Sequence, residues 1–189
     1  TGQLALGLAA LHRAGKIHRD IKPSNIRVTA EGRVVLLDFG LIAESTTDHE
    51  ASDAAIVGTA AYMAPEQAAA KALGPATDWY SVGIVLYEAL TGRLPFVGTP
   101  IEIFMDKQKH EPPPPRALVP SVPRDLDALC VDLLHFDPRS RPAEADILKR
   151  LGLAPSGPVP QLAVSSQRSL DAPFVGRASE LGRLRDSFA

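Results

Sequence analysis

The chain has 189 residues, 45% of them hydrophobic, and a formal net charge of −2. That balance suits a globular domain with a real core and gives no electrostatic case for nucleic acid or an anionic membrane as a partner. The single cysteine, Cys130, excludes an internal disulfide and points to a reducing cytoplasm; there is no signal peptide and no apolar run of the roughly 18–20 residues that a membrane span needs.

Leu4, Leu8 and Leu11 recur at helical spacing, so residues 1–14 read as a helix closed by Gly15. No cap residue precedes the pattern, and Thr1 reads as a cut rather than a natural beginning. The stretch His18-Arg19-Asp20-Ile21-Lys22-Pro23-Ser24-Asn25 follows. Pro23 blocks a continuous helix and biases Lys22 toward extended backbone, so this is a loop that presents an acid, a cation and a carboxamide to one point. Ile26–Thr29 and Arg33–Leu37 read as a hairpin around Ala30-Glu31-Gly32, a turn that brings Asn25 near Asp38. Residues 41–63 are polar and rich in small side chains and read as a loop segment.

Thr77 to Leu90 is apolar nearly all round and predicts a buried helix, with Trp79 and Tyr80 in the core. Gly92 caps it and Pro95 lies beyond. A helix is expected over 100–109, and Pro112–Pro115 reads as an ordered connection between helices, with a polyproline ligand for a partner module as the alternative. Asp125 to Leu134 is helical with Leu126, Leu129, Cys130, Leu133 and Leu134 on one face, which makes Cys130 a core residue, and His135 ends that helix. Pro142 is expected to start a last helix ending at Leu151. Residues 153–172 mix Pro, Ser, Gly and Gln without periodicity and read as a linker.

Three of these stretches belong together. The pattern H-R-D-x-K-x-x-N at His18–Asn25, the triplet Asp38-Phe39-Gly40, and Gly58-Thr59 followed by Tyr62 and Pro65-Glu66 resemble the catalytic loop, the metal-binding triplet and the end of the activation segment of protein kinases. The resemblance covers residues 1–152. It implies a mainly α-helical large lobe of a bacterial-type Ser/Thr protein kinase with a small β-hairpin. It also implies transfer of the γ-phosphoryl group of ATP to protein Ser/Thr hydroxyls with Mg²⁺. Asp20 would accept the hydroxyl proton and Lys22 would stabilise the phosphoryl charge. Asn25 and Asp38 would hold the metal, and Thr59 would tie the substrate loop to Asp20 and Lys22. Arg19 would pair with a phosphate on the activation segment, where Ser45, Thr46, Thr47 and Ser52 are candidate sites and Asp53 a candidate standing charge. His18, Phe39, Gly40, Glu66, Asp78 and Arg141 would be structural: Glu66 paired with Arg141, and Asp78 holding the catalytic-loop backbone. Arg27 departs from the family, which carries an apolar residue there under the adenine, although its aliphatic stem could serve.

The same resemblance marks what these residues lack. Only seventeen residues precede His18, with no G-x-G-x-x-G, and Lys16 stands too close to the loop to be the strand lysine. The small lobe is therefore expected to be absent from this chain, and the chain alone inactive. Residues 173–189, with Phe174-Val175-Gly176-Arg177 and Glu180-Leu181, resemble the opening of AAA-like signalling ATPase domains, so an attached ATPase or sensor domain is expected in the parent protein. The rival reading is a non-catalytic, kinase-like scaffold or regulatory module for that ATPase. The intact set Asp20, Lys22, Asn25 and Asp38 argues against it, because a scaffold has no use for a base and metal ligands.

Overall fold

The computed structural model describes residues 2–37 and 58–153 in full and residues 53–57 by their backbone. Helix α1 (Gly2–Arg13) buries Leu4, Ala5, Leu8 and Ala9 along one stripe. It ends at Gly15, whose φ of 71° is the left-handed value that glycine adopts without a Cβ penalty. A short 3₁₀ turn, Pro23–Asn25, closes the loop that follows. Strands β1 (Ile26–Val28) and β2 (Val34–Leu36) pair antiparallel, with Ile26 opposite Leu36 and Val28 opposite Val34, and Gly32 turns between them at φ 76°.

The next element corrects the loop reading of 41–63. Helix α2 covers Asp53–Tyr62. Ala54, Ala55, Ala60 and Ala61 carry the highest intrinsic helix propensity, and four of them in ten residues outweigh the single Gly58. The short α3 (Pro65–Ala68) has Pro65 in its first turn. Helix α4 (Pro75–Thr91) starts two residues before the expected Thr77, with proline again in the first turn, and stops at Gly92 in the left-handed region. Helix α5 (Pro100–Lys109) opens on a capping box: the Thr99 side chain accepts from the Glu102 N–H, and Glu102 accepts from the Thr99 N–H.

Pro112–Pro115 forms the connection to α6 (Pro115–Leu118), a one-turn helix the sequence reading missed, and Pro115 is buried at its start. Helices α7 (Arg124–Leu133) and α8 (Glu144–Arg150) complete the described chain. Pro142 does not start α8. Ala143 is its cap residue in extended backbone, and the helix begins at Glu144. Asp146 and Ile147 donate to the Ala143 carbonyl, so that residue, and not the proline before it, closes the first turn.

The lobe is organised around α4, which packs against α7, α2 and α6, while α1 packs on β2 and α8. Trp79, Tyr80, Ile84 and Tyr87 of α4 are buried with Leu8, Ile21, Leu129, Cys130, Leu133 and Ile147 in one core cluster. Gly83 sets the approach of α4 to α7: a Cβ there would stand 2.9 Å from Leu133 Cβ and Leu134 Cδ2. Cys130 is buried and its thiol is pushed up to about 12 by desolvation, which makes it a packing residue and not a nucleophile. Among the described residues the architecture is mainly α-helical with one two-stranded antiparallel sheet. No described helix is long and apolar enough to cross a membrane.

Candidate active site

The loop 18–25 is suspended from α4. Asp78, fully buried in the first turn of that helix, accepts the backbone N–H of His18 at 2.8 Å on Oδ2 and that of Arg19 at 2.7 Å on Oδ1. Its Oδ2 also meets His12 Nε2 of α1 at 2.7 Å. Arg19 sits at φ 69°, a left-handed conformation that costs a residue with a Cβ about 1–2 kcal/mol. Charge-assisted hydrogen bonds of about 1.5–3 kcal/mol each offset that strain. Further along the loop, the His18 ring Nε2 lies 3.1 Å from the Leu37 carbonyl, and the Leu37 N–H donates to the Asn25 carbonyl at 2.9 Å. The hairpin end is thereby tied to the loop at both sides.

Ile21 is buried in the core, and this anchors the middle of the loop and turns its neighbours outward. Lys22 Nζ lies 2.9 Å from Asp20 Oδ2 and donates to Thr59 Oγ1 at 3.0 Å. Asn25 Nδ2 donates to both the carbonyl and Oδ2 of Asp20, each at 2.8 Å. Four sequence-predicted residues, Asp20, Lys22, Asn25 and Thr59, thus form one hydrogen-bonded chain. Both bonds of the Asn25 amide use its nitrogen, so the oxygen Oδ1, the atom a hard cation needs, stays outside them. That donor chemistry fits Mg²⁺. Asp38, Phe39 and Gly40, the activation-segment candidates Ser45, Thr46, Thr47 and Ser52, and the side chain of Asp53 lie outside the described residues.

A cavity of about 330 Å³, lined by Lys22, Pro23, Ser24, Gly58, Thr59 and Tyr62, opens beside the Lys22–Thr59 bond. Arg19 is exposed, and its carbonyl accepts from Gln67 Nε2 at 2.8 Å. Arg27 is exposed on β1.

Below the site, Arg141 holds Glu66 with two bonds, 2.7 and 2.9 Å. The same guanidinium donates to the carbonyls of Ala76, His135 and Phe136 and lies over the Tyr80 ring at 4.8 Å. Burial by itself raises the Glu66 carboxyl, but the Arg141 guanidinium outweighs it and holds the acid below its ordinary range.

Two site-supporting residues escaped the sequence reading. His12 continues the Leu4, Leu8 stripe of α1 and ends on Asp78. Lys107 stands four residues after the buried Ile103 on α5, a position where the periodicity calls for an apolar side chain. A polar residue on the buried stripe was the available signal for both.

The geometry defines a kinase-type helical lobe, and residues 1–151 match the protein kinase domain family. The chain belongs to that family. It is 37% identical over 187 residues to the serine/threonine-protein kinase PknL of Mycobacterium tuberculosis, an alignment covering 94% of this chain and 47% of that protein. It is 36% identical over 177 residues to a probable serine/threonine-protein kinase of Streptomyces coelicolor, covering 92% and 24%. It is 42% identical over 142 residues to a probable serine/threonine-protein kinase PknB of Bifidobacterium longum, covering 73% and 20%. The chain spans about half the length of these relatives or less.

Proposed function

We propose that the protein carrying this chain transfers the γ-phosphoryl group of ATP to Ser or Thr hydroxyls of a protein substrate. The observation that supports this most is Lys22 bridging Asp20 and Thr59, with Asn25 on the same carboxylate. In this reading the substrate hydroxyl gives its proton to Asp20 while its oxygen attacks the γ-phosphorus, and the bond to the leaving ADP oxygen breaks. Lys22, within 3 Å of both Asp20 and Thr59, sits where it neutralises charge on the transferring group. Asn25, through Oδ1, and Asp38 would hold Mg²⁺, which when bound neutralises the phosphate charge. Arg19 would receive a phosphate on Ser45, Thr46, Thr47 or Ser52, or the standing charge of Asp53.

His18, Phe39, Gly40, Asp78, Glu66 and Arg141 are assigned to holding this arrangement. A cytoplasmic location is supported by the single buried cysteine. Residues 153–172 are read as a linker and 173–189 as the start of an attached AAA-like ATPase or sensor domain. The test is phosphoamino-acid analysis after incubation of the full-length protein with labelled ATP, Mg²⁺ and casein. Phosphoserine and phosphothreonine are expected, and mainly phosphotyrosine would refute the reading.

A further inference from the structure

Lys107 of α5 is buried, with 2% of its surface exposed. Its ammonium donates to the backbone carbonyls of Ala60 at 3.0 Å, Ala61 at 2.7 Å and Met63 at 2.7 Å. The rings of Tyr80 and Phe96 stand 5.6 and 5.8 Å from it. Among the described residues it forms no ion pair: Glu66 pairs with Arg141, Glu88 accepts from the Tyr62 hydroxyl, and Asp78 accepts from the backbone of His18 and Arg19. An apolar side chain would fill the same space without burying a charge, so lysine is the costly choice for packing alone.

Its three acceptors explain the choice. They lie at the C-terminal end of α2, where the last carbonyls of a helix have no partner within the helix and where a cation is favoured. The carbonyl of Tyr62, the one that Lys107 skips, accepts from Ser81 Oγ of α4 at 2.8 Å. Four consecutive carbonyls, 60 to 63, are therefore each held by a side chain from α4 or α5. Thr59 stands immediately before them, and its Oγ1 accepts from Lys22. The wall of the cavity formed by Thr59 and Tyr62 rests on this cap.

We propose that Lys107 is a positioning residue for the protein substrate: by capping the end of α2 it holds Thr59 against Lys22 and fixes the wall on which the acceptor segment lies. This rests on the kinase reading above. The consequence falls on the protein substrate and not on the nucleotide, because none of the three carbonyls belongs to the loop 18–25.

The experiment compares Lys107→Met and Lys107→Gln with wild type in the full-length protein, using casein as acceptor. Met removes every donor while keeping the volume, and Gln keeps a shorter donor group. Lys107→Met is expected to raise the KM for casein about tenfold, equivalent to about 1.4 kcal/mol, with the KM for ATP within about twofold. Lys107→Gln is expected to recover part of that loss. Amide hydrogen exchange of residues 60–64 should be faster in Lys107→Met, a readout that needs no catalysis. A folded Lys107→Met protein with unchanged casein KM and unchanged exchange would overturn the proposal. Loss of folding in both variants would also overturn it, because it would assign Lys107 to stability alone. Absence of Asp20-dependent transfer in wild type would instead overturn the kinase reading, and the exchange measurement would still decide whether Lys107 holds the segment.

Discussion

Asp78 holds the backbone of Arg19 in a left-handed turn, with a 2.7 Å hydrogen bond to a residue at φ 69°. Both carboxylate oxygens are used, one for Arg19 and one for His18 and His12. An amide cannot replace this, because it offers one oxygen and turns an NH₂ group toward a backbone N–H. Asp78→Asn is expected to destabilise the lobe by about 1.5–3 kcal/mol, the value of one charge-assisted bond. Denaturant titration of the variant checks it, and a shift well under about 0.5 kcal/mol would show that the loop keeps its turn unaided.

Glu66 and Arg141 form a buried pair in which the arginine also serves three carbonyls. Glu66→Gln should cost about 3–5 kcal/mol, since it leaves Arg141 charged and its main acceptor neutral. The pair also sets an acid limit. The Glu66 carboxyl is held lower in the folded protein than its ordinary value, so its stabilisation is complete above about pH 4.3, the unfolded value, and is lost as pH falls through the folded value. Thermal unfolding between pH 6 and 3 should show a steeper fall for wild type than for Glu66→Gln.

Lys107 gives a slope of the same sign in a higher pH window. Burial pushes its ammonium down to about 7, against about 10.4 for an exposed lysine. Across that range the unfolded chain holds this proton more firmly than the folded chain, although the three carbonyls favour the ammonium, so stability contributed at this site rises with pH. The midpoint of wild type should therefore gain on that of Lys107→Met between pH 7 and 9. Parallel curves for the two proteins would show that Lys107 keeps its proton throughout.

Gly83 offers a test of packing alone. Its α carbon faces Leu133 and Leu134 with no room for a methyl group, and Gly83→Ala should cost about 1–3 kcal/mol from overpacking despite the better helix propensity of alanine. A stabilised Gly83→Ala protein would mean that α7 yields at this contact.

Much of the lobe was legible because its signals are local. Leu4 and Leu8 mark the inner stripe of α1, Gly15 and Gly92 close helices in left-handed geometry, and the short turn around Gly32 sets the hairpin register. The site was legible for a different reason: Asp20, Lys22 and Asn25 lie within six residues, so their meeting needed only a loop. What escaped depends on partners distant in sequence. Helix α2 was hidden because Gly58 and polar neighbours masked an alanine-rich run whose end is capped from α5. Pro142 suggested a helix start, but the chain needs one more extended residue, Ala143, before its first turn can close. Lys107 could be flagged as a charge on an apolar stripe, but nothing local says that it faces the carbonyls of residues 60, 61 and 63.

The central claim is that Asp20 is the group that accepts the substrate proton, and one measurement bears on it most directly. Transfer of labelled phosphate from ATP to casein is compared for the full-length protein and its Asp20→Asn variant, with folding of both checked by thermal unfolding. Asp20 is partly exposed in its pair with Lys22, so folding should be preserved, while transfer should fall by about 10²–10⁴-fold. A folded Asp20→Asn protein that labels casein at the wild-type rate would contradict the account.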